Sequence, residues 1–153
     1  MKTPLDYTLK LLSMRSYSES SMAEKLIRKG FSTSQVSQTI KKLKELSFIN
    51  DETYGENMIR HGKLKYRGKA RTAYEMHKKG LDRQLIDGLI QRFYSDEEER
   101  AIAIKALNKK KVSLMKYMEN ELAYKKKLYD FLQRKGFSSR IVEDLLNEKL
   151  FDI

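Results

Sequence analysis

A motif built around a glycine occurs three times in this chain and constrains its fold more than any other feature. The letters RKGF at residues 28–31 return at 134–137, and KKGL at 78–81 is a third copy with two substitutions. A large apolar residue stands four positions before each glycine, and others stand six and ten positions after it. Because such spacings put apolar side chains on one helical face, the pattern predicts a repeated unit with a helix on either side of the glycine.

Each position of the motif suits a helix end. Glycine supplies the left-handed residue that ends a helix, and the paired cations before it complement the negative end of the helix dipole. Ser32, Asp82 and Ser138 follow two residues after the glycines and are good N-caps for the next helix. The predicted turns therefore lie at Gly30, Gly80 and Gly136.

A further amphipathic segment precedes each helix pair, so the repeated unit has three helices. The chain holds one proline and many good helix formers, which favours an all-α fold. Three helices have little core of their own, and we expect neighbouring units to pack into an elongated, curved array. The predicted units span 1–48, 49–94 and 95–153. The last unit is longer than the others, and its extra residues fall between Leu107 and Leu122. They could form a longer helix end or a loop.

The charge balance predicts a polyanionic partner. Lys and Arg number 32 against 21 Asp and Glu, a net charge of +11, which favours nucleic acid or a protein that already holds it. The absence of cysteine excludes disulfides and thiolate metal sites and fits a reducing cytoplasm. No apolar run is long enough to suggest a membrane helix, so we expect a soluble, cytoplasmic protein.

The richest candidate for binding is the stretch RHGKLKYRGKAR at residues 60–71, which contains six cations and no acid. If it is helical, several cations share one face, and nothing nearby is expected to neutralise them. A tyrosine among them could stack on a base or bind a phosphate. The predicted contact residues are Arg60, Lys63, Lys65, Tyr66, Arg67, Lys69 and Arg71. The lysine runs at 41–44, 109–111 and 125–127 are interpreted as diffuse charge, because adjacent residues on a helix point in different directions.

Signals for an enzyme are weak. The chain has two histidines, His61 and His77, and neither an HExxH nor a GxxxxGK[ST] motif. We therefore expect no catalytic residue, no metal and no cofactor. A nuclease lacks any plausible constellation. A helix-turn-helix transcription regulator is the alternative, since GFSTSQVSQTIKKL at residues 30–43 can be interpreted as a turn and a recognition helix.

Several segments of the chain together resemble the RecX family, small bacterial modulators of the RecA recombinase. They are LKLLSMRSYSESSMAEKLIRKGF, INDETYGENMIRHGKLKYRGKARTAYEMHKKGL and LYDFLQRKGFSSRIVEDLL. The motif positions are Leu12, Arg15, Ser18 and Glu19; Asp51, Glu52 and Tyr54; Arg67 and Gly68; and Phe131, Leu132, Arg134, Gly136 and Phe137. Their order and spacing carry the resemblance, which covers nearly the whole chain.

The resemblance implies a non-enzymatic regulator built from tandem three-helix units. Such a protein would lie along the groove of a RecA–DNA filament and mainly inhibit ATP hydrolysis, strand exchange and filament growth. It would thereby regulate homologous recombination, DNA repair and the SOS response. Its expected partners are the RecA filament and single- or double-stranded DNA without sequence preference, and it is expected to act as a monomer without a cofactor.

Overall fold

The computed structural model describes residues 3–149, which form nine α-helices and one short 3-10 turn and contain no strand. The helices are α1 Pro4–Leu12, α2 Glu19–Lys29, α3 Thr33–Glu45, α4 Asp51–Leu64, α5 Lys69–Lys78, α6 Arg83–Phe93, α7 Asp96–Ser113, α8 Glu121–Arg134 and α9 Ser139–Lys149. The all-α class is confirmed. No helix among these residues has the length and apolar character that crossing a bilayer requires.

Local sequence signals set the helix boundaries. Ser32 and Ser95 each form a reciprocal capping box with the residue three positions later, and the Asp82 carboxylate accepts two backbone N–H bonds at the start of α6. At the turns between second and third helices, Gly30, Gly80 and Gly136 adopt φ values of 102°, 81° and 88°. These lie in the left-handed region, where glycine carries no Cβ penalty.

The helices pack as three triplets, each around its own apolar cluster. We call α1–α3 unit 1, α4–α6 unit 2 and α7–α9 unit 3. Every pair of α-helices in extensive contact lies inside one unit. Fully buried residues anchor the clusters: Met22, Leu26 and Leu43 in unit 1; Ile59, Met76 and Leu89 in unit 2; and Leu107, Leu128 and Leu145 in unit 3. Each such side chain stabilises the fold by about 1.5–3 kcal/mol. The prediction of tandem three-helix repeats is confirmed.

The extra length of unit 3 is divided between helix and turn. Helix α7 runs for 18 residues, and Met115–Tyr117 form the 3-10 turn before α8 begins. The unit bounds 1–48, 49–94 and 95–153 stay a prediction, and their outer ends fall on residues 1–2 and 150–153, outside the described part of the chain.

Candidate nucleic-acid interface

The basic stretch at residues 60–71 is not a single helical face. Helix α4 ends at Leu64, Tyr66 has a positive φ of 56°, and α5 begins at Lys69 after its N-cap Gly68. The backbone N–H of Arg67 donates to the Gly62 carbonyl at 2.9 Å, which closes the turn. The cations therefore leave the backbone from a helix end, a tight turn and a helix start, and they point in different directions.

Four of the six cations have acidic partners, so the expectation that nothing neutralises them is wrong. Some partners come from the following unit, which the local sequence did not reveal. The pairs are Arg60–Glu56 at 3.6 Å, Lys63–Glu98 at 2.7 Å, Arg71–Glu75 at 3.0 Å, and Lys69–Asp96. Among residues 3–149, Lys65 and Arg67 form no ion pair with an acid.

These contacts change the acidity of the partners. The hydrogen bond from Lys63 holds the pKa of Glu98 below its ordinary value, and the one from Arg71 does the same for Glu75. The pKa of Asp96 is lowered in the same way by Lys69. Because all three carboxylates are solvent-accessible, we treat the pairs as positioning contacts that contribute little stability.

The middle of the stretch also docks unit 2 onto unit 3 through backbone groups. Gly68 N donates to the Lys135 carbonyl at 2.7 Å, and Ala70 N donates to the Gly136 carbonyl at 3.1 Å. Lys69 N donates to the Glu99 carboxylate at 2.7 Å. The start of α5 therefore packs against the glycine turn of unit 3. Glu99 of α7 accepts a hydrogen bond from a backbone N–H in the first turn of α5, which has no partner within that helix.

Units 1 and 2 meet through an equivalent contact. Ser18 Oγ donates to the Lys79 carbonyl at 2.6 Å, and Glu19 N donates to Asp51 Oδ1 at 2.8 Å. In both contacts the start of a middle helix meets the glycine turn of the next unit, and an acid from that unit's first helix accepts its N–H. The repeat therefore carries its own docking surface.

Docking explains two of the three turn glycines more fully than helix termination does. A Cβ on Gly80 would collide with Ser20, and one on Gly136 would collide with the backbone and side chain of Arg71. A Cβ on Gly30 would meet nothing within 4 Å. Gly80 and Gly136 thus combine a left-handed conformation with close approach, whereas Gly30 provides the conformation alone.

Tyr66 faces unit 3. Its half-buried ring packs against the apolar cluster of that unit, and Lys109 Nζ lies 5.6 Å from the ring centroid. The proposed stacking on a base would therefore have to displace a cation from this ring.

A cavity of about 490 Å³ lies beside Tyr66, between units 2 and 3. Four lysines line it: Lys65 from the turn after α4, Lys109 and Lys110 from α7, and Lys135 from the end of α8. We call this cavity the lysine pocket. Tyr66, Leu64, Phe131, Ala106 and Ser113 complete its lining, which includes no acid.

Sequence reasoning missed three of these lysines. Lys109 and Lys110 were assigned to diffuse charge, and Lys135 was assigned to a helix end. Although adjacent on α7, Lys109 and Lys110 both reach the pocket, because the turn of unit 2 lies over one side of the helix and Phe131 over the other. The signal in the sequence was the lysine run itself.

No cluster that suggests enzymatic chemistry emerges from the described residues. Within 3–149, no group of three or more His, Cys, Asp or Glu side chains is placed to hold a metal ion. His61 and His77 are both exposed and belong to the last turns of α4 and α5.

Two family models match the chain. The model of the RecX first three-helix domain matches residues 5–43, which are most of unit 1. The model of the RecX third three-helix domain matches residues 96–146, which are most of unit 3.

Relatives match over nearly the full length. A regulatory protein RecX of Chlorobium phaeobacteroides is 30% identical over 149 residues, covering 96% of this chain and 93% of the relative. Another from Caldanaerobacter subterraneus is 28% identical over 146 residues, covering 95% of this chain and 70% of the relative. The crystal structure of RecX from Lactobacillus salivarius superposes with a TM-score of 0.83 at 22% identity, covering 95% of this chain and 93% of that one.

Proposed function

The chain belongs to the RecX family, and from this premise we propose that it binds the groove of RecA–DNA filaments. Bound there, it restrains ATP hydrolysis, strand exchange and filament growth without being an enzyme. It acts as a monomer in the cytoplasm and influences homologous recombination, DNA repair and the SOS response through the filament alone.

The observation that carries this proposal is the full-length similarity to proteins named regulatory protein RecX. Similarity that covers 96% of the chain and 93% of the relative leaves little of either protein unmatched. A net charge of +11 supports contact with a filament that contains DNA, because cationic surfaces attract polyanions.

Within the 60–71 stretch, we assign filament contact first to Lys65 and Arg67. Neither forms an ion pair with an acid among residues 3–149, whereas Lys63, Lys69 and Arg71 do; the charge of Arg67 acts on Glu75 only at longer range. An unpaired cation can bind a phosphate or an acidic side chain without giving up an internal contact. Tyr66 and the four paired cations, Arg60, Lys63, Lys69 and Arg71, belong to the same proposed surface, with smaller individual contributions.

The direct test is a titration of this protein into RecA assembled on single-stranded DNA, with ATP hydrolysis as the measurement. We expect hydrolysis to fall in proportion to added protein until the filament is saturated. Lys65→Ala/Arg67→Ala should shift the titration to higher protein concentration and respond less to salt. Lys41→Ala/Lys42→Ala is the matched control, because it removes two exposed cations from α3.

Full hydrolysis and unchanged filament length at saturating protein would refute the proposed function. Equal inhibition by wild type and Lys65→Ala/Arg67→Ala would be compatible with the proposed function but would show that these two residues do not contribute to it.

A further inference from the structure

The lysine pocket differs from the other large cavities in its charge. The cavity beside α2 and α3 has acids in its lining, and so does the one beside Lys69 and Ser138. The lysine pocket is lined by four lysines and by no acidic residue. Among residues 3–149, none of these four lysines forms an ion pair with an acid. The chain neutralises most of the 60–71 stretch internally but leaves this cavity cationic.

Contacts within the fold hold the ammonium groups of three of the four lysines, Lys109, Lys110 and Lys135. Lys135 Nζ donates to the Lys65 carbonyl at 2.8 Å, so it bridges units 3 and 2. Lys109 and Lys110 lie 5.6 Å from the ring centroid of Tyr66 and 4.9 Å from that of Phe131. An ammonium group over an aromatic ring is attracted to its face, which restricts the side chain. These three cations are therefore positioned before any ligand binds.

Electrostatic strain in the pocket favours an anion. Burial lowers the pKa of Lys135, and the nearby charges of Arg67 and Arg71 lower it further, with contributions from Lys109 and Lys65. Cations crowded in this way repel one another, and a bound anion would relieve the repulsion. The cavity has room for a phosphate and part of the sugar attached to it.

The chemistry of the lining suits phosphate, because lysine is a common phosphate ligand and four lysines line this cavity. Lysines act as point charges and accommodate tetrahedral phosphate oxygens from several directions. Exposed Leu64 at the same site offers an apolar surface to a sugar or base edge.

We propose that the lysine pocket between units 2 and 3 binds a backbone phosphate of DNA, with Lys65, Lys109, Lys110 and Lys135 as the ligands. This inference deepens the proposed function by naming where the protein holds DNA. It rests on that function only for the choice of DNA as the source of the phosphate.

The test measures binding of the full chain to a fluorescent single-stranded thymidine oligonucleotide in the absence of RecA. Lys109→Gln/Lys110→Gln removes two adjacent charges from the pocket, and Lys41→Gln/Lys42→Gln removes two adjacent charges from α3 as the matched control. We expect the pocket variant to bind about tenfold more weakly, equivalent to about 1.4 kcal/mol, and the control to change by less than about twofold. Loss of one phosphate contact should also reduce the slope of log K against log salt by about 0.7.

A second variant guards against a local structural effect. Lys65→Gln/Lys109→Gln removes one pocket charge from each unit, leaves the Lys135 hydrogen bond in place, and should weaken binding to a similar degree. Circular dichroism and urea unfolding should show that all variants remain folded. Equal weakening by the pocket variants and the control, with equal salt slopes, would overturn the proposal, because DNA would then respond only to total charge.

Inorganic phosphate, added at matched ionic strength, separates the two sources of the ligand. If it leaves the oligonucleotide bound, the DNA backbone is supported as the source. If phosphate stabilises wild type but not the pocket variant against urea, and both bind the oligonucleotide equally, the pocket takes free phosphate and the DNA assignment is overturned. Because RecA is absent, failure here is distinguishable from failure of filament inhibition.

Discussion

A single methyl group added at Gly68 should separate units 2 and 3. Gly68 has φ −76° and ψ 175°, which alanine adopts without strain. A Cβ built there would lie under 3.0 Å from the Gly136 carbonyl group and from Phe137 N. These are backbone atoms that cannot rotate away, so the start of α5 must move off the turn of unit 3.

The cost follows from the bonds that this movement breaks. Two backbone hydrogen bonds, from Gly68 N and Ala70 N, contribute about 0.5–1.5 kcal/mol each, and the bond from Lys69 N to the Glu99 carboxylate contributes about 1.5–3 kcal/mol. Losing all three would cost about 2.5–6 kcal/mol. Alanine restricts the unfolded chain more than glycine does, which offsets about 0.4–1 kcal/mol of this loss. We therefore expect Gly68→Ala to lower the free energy of unfolding by about 3 kcal/mol.

Gly30→Ala is the matched control, because it tests backbone strain without docking. Gly30 has φ 102° and open space around it, so alanine there should cost only the left-handed penalty of about 1–2 kcal/mol. Urea unfolding followed by circular dichroism measures the free energy of unfolding of both variants. With a slope of about 2 kcal/mol/M, Gly68→Ala should lower the midpoint by about 1.5 M or reveal a separate transition for unit 3.

The reasoning fails if Gly68→Ala unfolds at the wild-type midpoint or above it. It also fails if Gly30→Ala costs more than Gly68→Ala, since strain and not docking would then dominate these glycines.

Two further predictions concern acids that contact the 60–71 stretch. Lys63→Met removes the hydrogen bond that lowers the pKa of Glu98, so this pKa should rise toward its ordinary value of 4.5 in a carboxyl NMR titration; an unchanged pKa would contradict the pairing. Burial raises the pKa of Glu99, so the folded state binds its proton more tightly than the unfolded state. The stability contributed by this group therefore falls as pH rises from 4.5 through the raised value, and Glu99→Gln should remove that part of the pH dependence. Urea midpoints measured from about pH 4 to about pH 8 check this, and parallel curves for the two proteins would refute it.

The repeat, the helix ends and the all-α class could be predicted because they depend on neighbours in the sequence. Ser32 caps α3 through a residue three positions away, and Gly30 ends α2 by its own backbone conformation. The core stripe of α3, with Val36, Ile40 and Leu43 buried, follows from helical period alone. Interactions of this kind span one or two turns of helix, which a sequence displays directly.

The interpretation of the basic stretch overlooked two kinds of acidic partner. Glu56 and Glu75 lie one helical turn from Arg60 and Arg71, which the sequence displays, whereas the partners of Lys63 and Lys69 are distant in the chain. Lys63 meets Glu98 from 35 residues away, and Gly68 meets Lys135 from unit 3. The same docking gathers the lysine pocket from the turn after α4, from α7 and from the end of α8. No spacing rule predicts which acids will neutralise which cations across such distances.

The sequence by itself therefore determined the repeating unit, its helix ends and its surplus of positive charge. Only the tertiary structure decided where that surplus is neutralised and where it stays available. The physical reason is that helix formation and capping depend on contacts within a few residues, whereas charge pairing depends on how one unit docks on the next. In this protein the docking neutralises Lys63 and Lys69 and gathers four lysines around one cavity.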